Sequence, residues 1–324
     1  MSSLTSHGAL ITLDREASYW VGRFMAMGSP CEVLIEEAPE ALARQIVEAA
    51  AGCAWRIERK YSRYRSDSVV HEINSSAGRA IVLDEESAAL IDFAVTLTQM
   101  SEGRFDITSG VLRKVWTFDG GSVVPSQAQI DAAMTHVGWR HVQWRKPVLQ
   151  LQPGMQIDLG GIGKEYAVDL AVARVEAIAP GLSCLINFGG DVAVRNARRD
   201  AQPWRIGIEA SAHAGEAVHV VPLMRGGLAT SGDSRRFVLH EGRRYSHIID
   251  ARTGWPIADA PNSITAAAGT CTQAGTLTTL AMLQGRNAES FLQQAGVQHW
   301  IQRSRDRRRS QYSRGVRLGK LKPL

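Results

Sequence analysis

The sequence predicts an α+β fold, and three observations carry that prediction. Helical and strand patterns follow one another in mixed order, without the strict βαβ alternation of a doubly wound parallel sheet. Residues 190–270 are rich in short apolar runs and turn residues, a sheet-forming stretch lying between helical ones. Hydrophobic residues make up 44% of the 324, enough for a substantial core in one large domain or two intimate lobes.

In chain order, CEVLIE (31–36) reads as a strand. PEALARQIVEAAAGCAWRIE (39–58) places Leu42, Ile46, Val47, Ala50 and Ile57 on one helical face, and EESAALIDFAVTLTQMSEG (85–103) is a second core helix closed by a glycine. LQLQPGMQIDL (149–159) reads as a strand, and IDLGGIGKEYAVDLAVA (157–173) as a strand entering glycines, a lysine and an apolar-periodic helix. SCLINF (183–188), AVHVVPL (217–223), YSHIID (245–250) and NSITAAA (262–268) read as further strands. There is no internal repeat and no low-complexity linker.

Charge and cysteine usage exclude several classes. The net charge is +5, yet nine of the basic residues lie in Arg303 to Leu324; without them the body carries 28 basic and 31 acidic residues. The basic character belongs to a tail, expected at 302–324 as a disordered appendage to a single 1–301 domain, and no nucleic-acid partner is expected. Cys31, Cys53, Cys184 and Cys271 have neither disulfide-framework nor zinc spacing and read as reduced thiols. No run of some 18 apolar residues offers a membrane span. The opening MSSLTSHGALITLDREASYW lacks a charged n-region, a continuous apolar h-region and a lipid-attachment cysteine, so a cytoplasmic location is expected.

Five stretches carry candidate chemistry. The GGIG turn departs from the G-x-G-x-x-G fingerprint and no acidic ribose partner follows it, which disfavours a nicotinamide site. It can still present backbone N–H groups to phosphate with Lys164 adding charge, or be a purely structural turn. In INFGGDVAV (186–194), Gly189 and Gly190 permit close backbone approach and Asp191 either binds a hydroxyl or caps the turn. LATSGDSRRF (228–237) supplies Thr230 and Ser231 hydroxyls with Arg235 and Arg236; YSRYRSDSVVHEIN (61–74) alternates rings and guanidiniums, suited to a flat ring and phosphates. YSHIIDARTGWP (245–256) holds His247, alone among nine histidines in being flanked by so many polar, turn-forming residues, as a general-base candidate.

Taken in order, MGSPCEV, YSRYRSDSVVHEIN, GRFDITSG, IDLGGIGKEYAVD, INFGGD, ATSGD, YSHIIDARTG and AGTLTTLAMLQG resemble the FAD:protein FMN transferases, the ApbE-like flavin transferases, over about residues 24–301. The resemblance implies a two-lobed, T-fold-related α+β architecture with FAD in a cleft, and transfer of FMN from FAD to a threonine of an acceptor protein with release of AMP. It implies His247 as the base, and Met27, Tyr64, Asp106, Lys164, Gly189, Gly190, Asp191, Ser231 and Asp250 around the flavin nucleotide. It also implies a magnesium ion near the Gly163 carbonyl and Thr279. Here the chain departs from the family pattern. The late-helix aspartate is replaced by Gly275, and Glu165 stands where a glycine usually follows the lysine; Glu165 is therefore expected as a substitute ligand. The loss leaves a second reading open, a flavin-binding protein or an FAD pyrophosphate hydrolase without productive transfer.

Overall fold

The structure, a computed structural model, describes residues 3–4, 10–210, 216–233 and 236–303. Its frame is a nine-stranded sheet whose spatial order repeats the chain order. The strands are Ser3–Leu4, Leu10–Arg15, Tyr19–Ala26, Ser29–Glu36, Cys184–Phe188, Asp191–Val194, Gly226–Gly232, Ser263–Ala268 and His299–Gln302, every neighbour antiparallel. The helices are α1 (Glu40–Tyr61), α2 (Val69–Asn74), α3 (Glu85–Met100), α4 (Gln127–Met134), α5 (Gly163–Ile178), α6 (Cys271–Leu283) and α7 (Ala288–Gln294).

Alternation along the strands assigns the two faces. Val33, Ile35, Ile186 and Phe188 point into the main core, where Ile46, Val47, Ala50 and Ile57 of α1 meet Ala167, Val168 and Ala171 of α5. Leu185, Val192, Val194 and Leu228 point the other way and are covered by Trp204, Ile206, Ile208 and Val221 of the hairpin Trp204–Glu209 with Ala217–Leu223. α5 and α6 pack together against the middle strands. A separate cluster around Trp116 joins Val111, Leu112, Ile130, Val137 and Ala251, giving the second, smaller lobe.

The two core helices form where periodicity places them, and Gly103 (φ 79°) closes the second by donating its N–H to Thr98 O at 2.8 Å. Two strand expectations need correction. Of 149–159 only the first two residues belong to a strand, Val148–Gln150; Pro153 and Gly154 (φ 89°) turn the chain there, and residue 157 is held instead by the Asn74 side chain. The 245–250 run is divided into Arg243–Ser246 and Ile249–Asp250, with His247 at the break. All four cysteines are free thiols, and among the described residues no helix is long and apolar enough to cross a membrane. Gln302 closes the last strand, and Arg303 Nη1 donates to Asp259 O at 3.0 Å; the rest of the basic tail lies outside the described residues.

Candidate active site

Register brings three of the quoted motifs, MGSPCEV, INFGGD and ATSGD, to one end of the sheet. Ala26 pairs with Ser29, so Met27 and Gly28, at φ 52° and 68°, form a two-residue hairpin turn. Phe188 pairs with Asp191, so Gly189 and Gly190 form a second turn at φ 64° and 97°. The turns are neighbours because Cys31 pairs with Phe188, and Gly189 N–H donates to Pro30 O at 3.1 Å. A Cβ on Gly189 would lie 2.6 Å from Ser29 Cβ, so close approach and backbone sign both require glycine. Leu228 pairs with Val192 and its strand continues antiparallel, carrying Ser231 beyond the second turn. There Ser231 Oγ lies 2.9 Å from Thr278 Oγ1 and 3.4 Å from Thr279 Oγ1, joining the strand to α6.

The N-terminus of α5 reaches the same end. Lys164 Nζ donates to Asp191 Oδ2 at 2.5 Å, and Asp191 is buried. Burial pulls the Lys164 pKa down, but the Asp191 and Glu165 carboxylates outweigh it and hold the amine above the ordinary lysine value. Glu165 is buried too; desolvation, then the nearby Asp191 charge, push its carboxyl up to about 8, and its Oε2 has no hydrogen-bond partner. The Glu165 side chain packs on Gly275, where an added Cβ would lie 2.6 Å from its Cγ and 2.7 Å from Oε1. Asp169, one turn along α5, accepts the N–H groups of Cys271 and Thr272 at 2.9 and 2.8 Å, fixing the start of α6 beside α5.

His247 is set by the second lobe. Its ring meets Phe118 edge-on at 6.4 Å, and Phe118 stacks on Trp116 at 5.4 Å. The ring is partly buried, with Nδ1 enclosed and unpartnered; burial first, then the charges of Arg236 and Arg113, pull its pKa down to about 4. Arg113 Nε lies 3.2 Å from Asp158 Oδ2, which also accepts from Arg63 Nη1 at 3.1 Å. Asp158 belongs to the glycine loop ahead of α5, so one guanidinium connects the surroundings of His247 to that loop.

The remaining expected residues divide by what already engages them. Tyr64 is 80% exposed with the Arg63 guanidinium 5.7 Å over its ring, leaving a face for stacking. Asp106 is saturated: Oδ1 accepts from the N–H and hydroxyl of Thr108, and Oδ2 from Trp139 N–H at 2.7 Å. Asp250 accepts from the Arg252 backbone and guanidinium and shapes the turn after His247. Arg235 lies outside the described residues. Arg113 and Asp158 escape the sequence reading, because their pairing joins residues far apart in the chain and leaves no local pattern. Gly163 opens α5 next to Lys164 and Glu165, while Thr279 lies one turn beyond Gly275 on α6. Among the described residues no three His, Cys, Asp or Glu side chains cluster as a metal cage. A cavity of about 270 Å³ lined by Asn74, Gly78, Lys114, Leu151 and Gln156 includes none of these groups.

Comparison with known proteins agrees with the geometry. The family model for the ApbE family matches residues 27–301. The FAD:protein FMN transferase of Salmonella typhimurium is 32% identical over 247 residues, 73% of this chain and 70% of the relative. That of Treponema pallidum is 30% identical over 282 residues, 81% and 77% of the two chains. The crystal structure of the ApbE protein of Thermotoga maritima superimposes with a TM-score of 0.78 at 30% identity, covering 87% of this chain and 94% of that one. The apo flavinyl transferase ApbE of Pseudomonas stutzeri gives 0.73 at 30% identity, covering 89% and 92%.

Proposed function

The chain belongs to the ApbE family, and on that premise we propose that it transfers FMN from FAD to an acceptor protein. The observation that carries the reading is the convergence at one sheet end of two hairpin turns, Ser231 and the Lys164–Asp191 pair. The half-exposed Lys164 ammonium there suits a diphosphate. Tyr64 offers its open face to a flat ring, and Arg63 and Arg113 supply positive charge near the glycine loop.

The acceptor is proposed to be a threonine hydroxyl. Its oxygen attacks the phosphorus on the FMN side, the P–O bond to the AMP phosphate breaks, and AMP leaves with that bridging oxygen. The hydroxyl proton passes to His247, whose Nε2 is the nitrogen left to take it once Nδ1 is enclosed. Lys164 holds the phosphates in line and offsets charge that builds in the transition state.

A magnesium ion fits the donors of this chain, since the buried Glu165 carboxyl, packed against Gly275 of α6, has an oxygen without a partner. Magnesium prefers oxygen ligands and is commonly held by one or two carboxylates plus substrate phosphates. When bound it would neutralise diphosphate charge.

Incubation of candidate acceptor proteins with this protein, FAD and magnesium, followed by intact-mass spectrometry, tests the reading; an added FMN is expected. AMP release that never leaves FMN on any acceptor would make the chain an FAD pyrophosphate hydrolase instead.

A further inference from the structure

We propose that Glu165 of α5 supplies the carboxylate that a divalent cation takes at this site, and that Gly275 of α6 is glycine in order to admit it. The inference rests on the diphosphate-binding reading above and concerns how this chain meets the charge that reading requires.

The steric half stands on the packing. Gly275 lies in the middle of α6, where glycine costs about 1 kcal/mol against alanine. A Cβ at that position would meet three atoms of one side chain, Glu165 Cγ, Oε1 and Cδ, at 2.6, 2.7 and 2.9 Å. Glu165 is buried, so a Cβ at 275 would have to push its carboxyl end aside. Glycine at 275 and glutamate at 165 therefore fill one volume between two helices, one by leaving it and the other by entering it.

The electrostatic half concerns charge without a partner. Lys164 is the cation of this cluster, and its ammonium is committed to Asp191. Asp169 is committed to the α6 amides. Glu165 Oε2 is enclosed and has no protein donor. Ionising a carboxyl so placed requires a compensating charge, and a bound diphosphate would add more negative charge beside it. The available donors are hard. Glu165 and the Thr279 hydroxyl remain, with phosphate oxygens and waters, which is a magnesium or manganese set.

Adding Gly275→Asp to Glu165→Gln would not restore the site, since glutamine keeps every heavy atom the new Cβ would strike. The reciprocal exchange is Glu165→Gly with Gly275→Asp.

The test is Mn2+ binding to the full chain, read from the EPR signal of free Mn2+ with and without ADP as the diphosphate probe, and with circular dichroism to verify folding. Wild type should bind Mn2+ more tightly with ADP present. Glu165→Gln should weaken that binding at least tenfold with an unchanged fold, and Gly275→Ala should do the same by displacing Glu165. The Glu165→Gly/Gly275→Asp exchange should bind at least tenfold better than Glu165→Gly alone. Glutamine binding Mn2+ within twofold of wild type would overturn the proposal and make Glu165 a carboxylic acid held neutral by a proton. A double exchange no better than Glu165→Gly, or a wild type that ignores Mn2+ with ADP, would overturn it equally. Flavin fluorescence with FAD separates the two readings: intact Mn2+ behaviour without FAD binding would remove the transferase reading and leave the metal site.

Discussion

Filling the phosphate site should raise the pKa of His247. In the unliganded protein it is pulled down to about 4 from an ordinary 6.5, chiefly by burial, then by Arg236 and Arg113, with a backbone hydrogen bond to Arg236 acting in the opposite sense. That difference corresponds to roughly 2–3 kcal/mol once the partial exposure of the ring is allowed for. Burial persists when a ligand binds, so only the guanidinium contribution is removable, and a diphosphate near Arg113 should move the titration up by about one pH unit. The direction has a functional consequence: a base titrating near 4 is weak at neutral pH, and the substrate itself would strengthen it. The depressed value also sets a stability window. Between pH 6.5 and 4 the unfolded chain binds a proton that the native ring refuses, so stability is full above 6.5 and falls on acidification towards 4. NMR titration of 13C-labelled histidine, assigned with His247→Gln, measures both states with and without ADP. An unliganded value at 6 or above, or no upward movement with ADP, would refute the assigned roles of burial and of the two arginines.

Three further outcomes follow from the packing. His247→Ala should leave FAD affinity within severalfold while lowering FMN transfer by about 10² or more, measured as single-turnover transfer beside a binding titration. Lys164→Met should destabilise by about 3 kcal/mol in urea, because Asp191 is left buried without its ammonium; Lys164→Met/Asp191→Leu should recover much of that stability without recovering FAD affinity. Gly227→Ala should destabilise by about 3 kcal/mol, since its Cβ would fall 2.2 Å from Cys271 N and 2.3 Å from Thr270 C, backbone atoms that can retreat only by moving the start of α6.

Much of the fold was legible because periodicity is local. Ile46, Val47, Ala50 and Ile57 declare one buried face of α1 whatever surrounds them, and INFGG-DVAV declares a hairpin through its paired glycines. Failures occur where a distant partner decides. Residue 157 resembles a strand residue, but its backbone is claimed by the Asn74 side chain, 83 positions away in sequence. The Trp139 N–H that Asp106 accepts, besides the N–H and hydroxyl of Thr108, is likewise invisible from its own stretch. Arg113 and Asp158 pair across a long stretch of chain, and nothing adjacent to either marks it.

The Glu165–Gly275 pair shows why departures from a pattern can inform more than agreement with it. Each residue is unexceptional alone: a first-turn glutamate is favoured by the helix dipole by about 0.3–1 kcal/mol, and an isolated glycine in a helix is tolerated. The dipole, however, favours exposed acids as well as buried ones, and it does not explain why Glu165 gives up solvent to lie against Gly275 with an oxygen unpartnered. Burial of that oxygen is unfavourable unless something arrives to meet it. A structural residue at 165 would be improved by any apolar side chain of similar volume, so Glu165→Met should stabilise the unliganded protein in urea while abolishing the tightening of Mn2+ binding by ADP. Stabilisation with the tightening retained would place the cation elsewhere, and loss of both stability and tightening would make Glu165 part of the scaffold.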